Sequence, residues 1–456
     1  MKTWAFVLLA QKKLLSIVFV LAILFGLADS IVAEPLSLDE AVEQGLKANS
    51  SVKIEENEFT KAELDGKIAN SYYYPELSLF SSYSHLEPRP GARKEIIPGL
   101  PPLELNMGRN DVLSHGAQLR YILYEGGRRS HLKEASAQRK EASRWLLLDR
   151  RRTVEFDVRR AYLNSLLLKE MEGVAAQNLV RHQRRALDAK RAFQVGSIAR
   201  LELLRAEAEE ADAKITVDEA ADRAQSALQQ FSILINSPNQ VEPLGNLRRG
   251  SDIAAQFDLS LLKEKEPEFA RLMAMSFEQK AAEEAAEAKK ADGLPSVVTG
   301  LKAAQTNPYL SEKKYGPDYS AFVQLTIPIF DFGRSSAIYD KSKLDAQNAV
   351  LKSDELRRTL TGQYNLLIDR IANGKRAIGN RSVSLARAKA ALEAAQVAYK
   401  NGSIDLSRLL DAEILMLKSD IDFLKATAEF YENIAEWERW SGQSSGLFKI
   451  FNRSES

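Results

Sequence analysis

Two glycines, Gly196 and Gly402, constrain this chain more than any other residues. Each is the strong helix breaker in a long stretch of helix-forming sequence, and both sit in the same segment. The first copy contains Phe193-Gln194-Val195-Gly196-Ser197-Ile198, then Leu203-Leu204-Arg205-Ala206-Glu207. The second contains Tyr399-Lys400-Asn401-Gly402-Ser403-Ile404, then Leu409-Leu410-Asp411-Ala412-Glu413, 206 residues further on. A glycine there takes positive φ and ends one helix, and the serine behind it caps the next. Each copy reads as the tight turn of a long antiparallel helical hairpin.

A second pair of segments keeps the same offset. Leu123-Tyr124-Glu125-Gly126-Gly127-Arg128 matches Ile329-Phe330-Asp331-Phe332-Gly333-Arg334, again 206 residues apart. A duplicated unit with an unchanged arm between its landmarks means that the arm's length matters. From Arg128 to Val195 there is no proline and one glycine, Gly173. A continuous helix over that stretch would be roughly 100 Å long, far beyond an ordinary globular helix. After Arg334 no proline occurs at all. The return helix behind Gly402 carries Leu410, Ile414, Leu417, Ile421, Leu424 and Ala428 at spacings of four and three, a coiled-coil seam.

Composition excludes several function classes. The formal net charge is +1, so no basic excess points to nucleic acid. Cysteine is absent, which removes disulfides, thiol chemistry, cysteine metal sites and a lipid-modified N-terminal cysteine. His131 and His182 have no second ligand at metal spacing and read as ordinary helix-surface residues, and no serine, histidine and carboxylate constellation suggests an enzyme. Neither a P-loop nor a Gly-x-Gly-x-x-Gly pattern surrounds Gly126-Gly127. No cofactor is expected.

The N-terminus reads as an export signal. Lys12 and Lys13 precede the apolar run Leu14 to Leu27, and Ile31-Val32-Ala33 offers a cleavage site before Glu34. The run is shorter than the ~20 residues that span a bilayer; a retained signal anchor is the alternative. Ser37-Leu38-Asp39-Glu40 forms a capping box that opens a helix. Strands are expected from Glu76 to His85, Gly116 to Tyr124, Ser296 to Ala304, and around Val323 to Ile329. Between the first two lies a proline-rich surface loop; residues 305–319 form a loop in the second half. Ala117, Leu119, Tyr121 and Leu123 alternate with Gln118 and Arg120; Val323, Leu325, Ile327 and Ile329 alternate with Phe322, Gln324 and Thr326. The two apolar sets coincide at the repeat offset.

Four strands of this length suit a tilted bilayer crossing of ~9–11 residues, but open edges are not tolerated in lipid. Closure needs at least ~8 strands. One chain cannot close a barrel. Two copies would give eight strands and three would give twelve.

At this point the sequence resembles the TolC-like outer-membrane efflux proteins. The resemblance rests on Leu36-Ser37-Leu38-Asp39-Glu40-Ala41-Val42, on Leu294-Pro295-Ser296, on Pro328-Ile329-Phe330-Asp331-Phe332-Gly333-Arg334, and on Tyr399-x-x-Gly402-Ser403 followed by Leu409-Leu410-Asp411-Ala412-Glu413. It implies a mainly α fold with a membrane β-barrel. Long antiparallel helical hairpins would form a periplasmic tunnel, and four strands per chain would join a twelve-stranded barrel in a homotrimer. The place would be the cell outer membrane, with a periplasmic extension. The role would be that of an exit duct for a tripartite efflux or type I secretion system. Its partners would be a periplasmic adaptor, an inner-membrane pump or ABC exporter, and outer-membrane lipid. The turns Gly196, Ser197, Ile198 and Gly402, Ser403, Ile404 become candidate adaptor contacts. Glu202, Arg205, Arg408 and Asp411 become a candidate gate at the tunnel's inner end. Family members often carry an acidic residue where Arg408 stands, which speaks against a purely acidic ring; Arg408 and Asp411, three apart on one helix, can pair as a salt-bridged gate, with solvated surface charges at a helix end as the alternative. Gly126, Gly127, Pro328 and Gly333 mark the strand-to-helix transitions. The expected organisation is a signal peptide over 1–33, a first repeat over 34–238, a polar connector over 239–257, a second repeat over 258–442 and a tail over 443–456. A periplasmic coiled-coil adaptor or scaffold is the alternative; it would leave the two-faced strands unexplained.

Overall fold

The structure, a computed structural model, describes residues 34–85, 92–95, 103–106, 111–263, 267–307 and 315–448. The expected signal peptide lies outside these residues, as do most of the proline-rich loop, residues 308–314 of the second loop and the end of the tail. The elements follow the repeat. The first half holds β1 (Glu34–Leu36), α1 (Leu38–Ala48), α2 (Ser50–Ser71), β2 (Glu76–His85), β3 (Ala92–Glu95), β4 (Leu103–Asn106), β5 (Asp111–Tyr124), α3 (Arg128–Gln194) and α4 (Arg200–Leu234). Between the halves come β6 (Val241–Pro243) and α5 (Gly250–Gln256). The second half holds α6 (Ala270–Lys290), β7 (Ser296–Asn307), β8 (Gly316–Thr326), α7 (Arg334–Lys400) and α8 (Leu406–Ser441). The two arms, α3 and α7, are each 67 residues long.

The chain divides into two compact units. One comprises the described residues within 34–53, 149–269 and 361–448 and is built of helices around a dense aromatic and aliphatic core. Tyr162, Phe231, Leu247, Leu262, Leu367, Phe430, Tyr431 and Trp437 are almost wholly buried. Two polar groups of this core have partners: the Tyr162 hydroxyl shares its proton between the Leu36 and Leu244 carbonyls, and Trp437 Nε1 donates to the Tyr364 hydroxyl at 2.9 Å. The capping box forms as expected, with Ser37 and Glu40 exchanging hydrogen bonds at the start of α1. Residues 239–257 are not merely polar. They pair β6 with β1 in parallel and bury Val241, Leu247, Ile253, Ala254 and Phe257. Gly250 packs so closely that a Cβ would come within 2.2 Å of Thr427. The few apolar residues of this segment are too irregularly spaced to announce a core piece; tertiary contacts collect them.

The other unit, residues 54–148 and 270–360, carries the sheet. Its helices approach through small side chains: Ala69 on α2, Ala135 and Ala142 on α3, and Ala281 and Ala288 on α6 are all buried. The four long strands pair antiparallel in the order β2-β5-β7-β8. Register places Leu77, Leu119, Leu301 and Ala321 in one row across all four strands. The adjacent row, on the opposite face, is Ser78, Gln118, Lys302 and Ser320. One face is thus apolar and one polar, because side chains alternate along a strand. The apolar face is uncovered within the chain: Leu77 is 69%, Leu79 85% and Val323 71% exposed.

Strand limits differ from the sequence reading. β5 begins at Asp111 and β7 runs to Asn307, so the sheet reaches further from the helices than expected. β8 stops at Thr326, which leaves Ile327 and Ile329 beyond it. Pro328 has no N–H to donate to a ladder, and it ends the pairing. The short β3 and β4 form a hairpin inside the expected loop; four residues each give no periodicity to read.

Candidate functional site

Both glycine turns close in the same way. Gly196 N–H donates to the Phe193 carbonyl and Ser197 N–H to the Ala192 carbonyl. Gly402 and Ser403 repeat this with Tyr399 and Ala398, at 3.0 and 2.8 Å. This is the Schellman arrangement, and it needs the positive φ of 75° at Gly196 and 68° at Gly402. The serine, however, does not cap the next helix. The Ser197 hydroxyl donates backward to the Ala192 carbonyl at 2.9 Å. The capping position falls two residues later. In the first turn it is Ala199, which has no side-chain oxygen; in the second it is Asp405, whose Oδ1 accepts from Arg408 N–H at 3.0 Å. Ile198 and Ile404 lie in the turns themselves.

The candidate gate residues are only partly brought together. Arg205 and Asp411 line one cavity of about 390 Å³ together with His182, Glu209, Asp212 and Glu413. Glu202 and Arg408 do not line it. No ion pair joins Arg408 to Asp411; Arg408 uses its backbone to receive the Asp405 cap, while Arg205 reaches Glu209 at 3.4 Å.

The strongest electrostatic feature nearby is one the sequence did not announce. Arg185 on α3 contacts Glu413 on α8 at 2.5 Å and Glu209 on α4 at 3.3 Å. Their side chains are 12%, 6% and 21% exposed. The second oxygen of Glu413, Oε2, is buried and accepts no hydrogen bond from the described residues. His182 is also not a surface residue. Its ring lies 3.8 Å from Glu209 with 14% exposure, and burial, aided by Arg185, holds its pKa below the ordinary value. A further buried carboxylate on α8, Asp420, is held by Arg248 at 2.7 Å.

These pairs also shift the expected seam. Leu424 and Ala428 are buried as read, but Ile414 is 62% exposed. The buried stripe near the turn runs through Leu409, Glu413 and Asp420 instead. A hydropathy pattern cannot see a carboxylate whose arginine comes from elsewhere in the chain.

At the other end of each arm, Gly126 and Gly127 have φ of 61° and 84°. Phe332 and Gly333, at the equivalent repeat positions, have 58° and 83°. Asp331 starts α7 by accepting from Gly333 and Ser335 N–H at 3.1 and 2.9 Å. Among the described residues no group of three or more His, Asp or Glu could hold a metal ion, and no helix is long and apolar enough to cross a membrane.

The sequence profile of outer membrane efflux proteins matches residues 42–237 and 262–442, one stretch for each repeat. The chain belongs to the outer membrane efflux protein family. Solved structures agree in fold. The Campylobacter jejuni CmeC outer membrane channel superposes with a TM-score of 0.74 at 17% identity, covering 91% of this chain and 89% of its own. The open-state Neisseria gonorrhoeae MtrE outer membrane channel gives 0.68 at 19%, with 88% of each chain covered. The Vibrio cholerae outer membrane protein VceC gives 0.68 at 15%, with 89% and 97% covered. No curated protein matches by sequence.

The place of this outer membrane efflux protein is the cell outer membrane, with a periplasmic extension. Its apolar sheet face, uncovered within the chain, is the surface that such a place requires. The fold is the TolC-like one, helical tunnel elements plus strands.

Proposed function

We propose that this efflux protein is the passive exit duct of a tripartite efflux or type I secretion system, and that three copies build it. The observation that carries the reading is the two-faced, four-stranded sheet with open edges at β2 and β8. Lipid accepts the apolar rows but not the edges. Three copies supply twelve strands, close the barrel and turn the Ser78-Gln118-Lys302-Ser320 rows toward a water-filled lumen. The chain is then organised as a signal peptide (1–33), two repeats (34–238 and 258–442), a connector (239–257) that folds into the helical unit, and a tail (443–456).

The glycine turns Gly196 to Ile198 and Gly402 to Ile404 face a periplasmic adaptor, which recruits an inner-membrane pump or ABC exporter. The energy comes from that pump, and the duct performs no chemistry. The inner end is closed at rest by charges around Arg205 and Asp411, with half-buried Glu202 and exposed Arg408 on the rim. The Arg185–Glu413 pair acts as the latch behind them.

The test is conductance of the purified protein in planar bilayers. Three chains per particle, a small resting conductance, and a rise on adding the adaptor are expected. Asp411→Arg should raise the resting conductance. An unchanged value would remove Asp411 from the gate. Material that washes off membranes without detergent would overturn the duct.

A further inference from the structure

The segment that follows β8 is built unlike its counterpart in the first half. The backbone at both junctions turns through two successive left-handed residues. The first half meets that demand with Gly126-Gly127. The second half places Phe332 there, at φ 58°. A residue with a Cβ is sterically penalised in this region, and a bulky one is an outlier. Nothing among the described residues recovers the cost. Phe332 is 89% exposed, and its one ring partner among the described residues is Phe330, itself 76% exposed, with centroids 4.5 Å apart. Ile329 beside them is 92% exposed. Strain kept at a residue without a packing role points to a partner outside the chain.

Two observations say what that partner is. First, the cluster continues the apolar face of the sheet: Val323, Leu325 and Ile327 are 71%, 59% and 55% exposed and lead directly into it. That face lies against lipid on the reading given above, and this inference rests on it. Second, a cation follows at once. Arg334 is exposed and makes no ion pair among the described residues. Its neighbour Asp331 feels its charge but spends its oxygens on Gly333 and Ser335. The equivalent Arg128 differs, being directed at Asp292 at 3.7 Å. Apolar rings followed by an exposed guanidinium that makes no salt bridge match the boundary between acyl chains and phosphates.

We propose that Ile329, Phe330, Phe332 and Arg334 form a docking site for a phospholipid of the periplasm-facing leaflet, with the rings among the upper acyl chains and Arg334 on the phosphate. The natural chain has no cysteine, so Phe332→Cys carries a single nitroxide label in the full-length protein reconstituted into vesicles of phosphatidylethanolamine and phosphatidylglycerol. The label should collide with lipid-dissolved oxygen far more than with a water-soluble nickel chelate. Dominant nickel collisions place it in water and overturn the site. Protection from both means that a neighbouring copy covers it, which also overturns the lipid assignment. Conductance recorded on the same material separates failure of the site from failure of the duct. A second variant, Arg334→Glu, is read by native mass spectrometry of phosphatidylglycerol retained per trimer. Retention should fall about fivefold, the effect of one interfacial cation, and Arg128→Glu should change it less. Undiminished retention in Arg334→Glu, or equal loss in both variants, refutes the site.

Discussion

Glu413 occupies a position on α8 that hydrophobicity would give to leucine, and it is tolerable there because Arg185 arrives from 228 residues away. Breaking such a pair from one side leaves a buried charge uncompensated. Arg185→Ala should therefore destabilise the helical unit by about 3–5 kcal/mol, read as a lowered thermal midpoint in detergent. The double exchange Arg185→Glu with Glu413→Arg should recover a large part. If the exchange is as unstable as the single variant, the pair is not the contact that matters. His182 adds a pH dependence to the same cluster. Burial, then Arg185, lower its pKa from 6.5, while Glu413 and Glu209 oppose the shift and Arg181 supports it. The folded state thus favours the neutral ring. Its contribution is complete above 6.5 and is lost as the pH falls through the lowered value. Acidification should cost the wild type more stability than His182→Gln; parallel midpoint profiles would exclude the histidine. None of this was legible in the sequence. His182 reads as a surface residue on its own helix, and its burial is decided by α4 and α8.

Elements were more legible than residues, because helix punctuation is local. Gly196 and Gly402 announced both turns, and the arms end at Gln194 and Lys400, within two residues of them. Local logic failed where a side chain had two local options: Ser197 closes the helix behind it, not the one ahead. The strand ends were missed at Asn307, where pairing partners and not composition extend β7. The same chemistry of glycine gives opposite forecasts at two sites. Gly402 has open space around it but φ of 68°, so Gly402→Ala should destabilise the hairpin by about 1–2 kcal/mol from the backbone alone. Gly362, inside α7, has equally open space and no positive φ, so Gly362→Ala should stabilise it by up to about 1 kcal/mol. Denaturant unfolding followed by circular dichroism distinguishes them. Shifts of one sign in both variants would mean that something other than the backbone sets the cost.

At the scale of the molecule, the repeat acts as a length standard. The outgoing arms have 67 residues each and the returning helices 35 and 36. Equal arms are unnecessary for a chain that folds alone, since each hairpin could end anywhere. They are necessary if copies of both hairpins stand side by side as staves of one wall. Seven residues shift a helix end by about 10 Å, two turns, and nearly preserve its facing. Removing seven residues from each of α3 and α4 shortens one hairpin by that amount without rotating its faces. Such a chain should still insert its sheet, yet its two turns would no longer lie at one level. Trimer mass should survive, and the adaptor should fail to raise conductance. Removing the same heptads from α7 and α8 as well restores the level, and adaptor-dependent conductance should return in a shorter duct. A fully responsive duct with one short hairpin would show that the matched offset of 206 residues is inherited history, with no bearing on how the inner end is closed or opened.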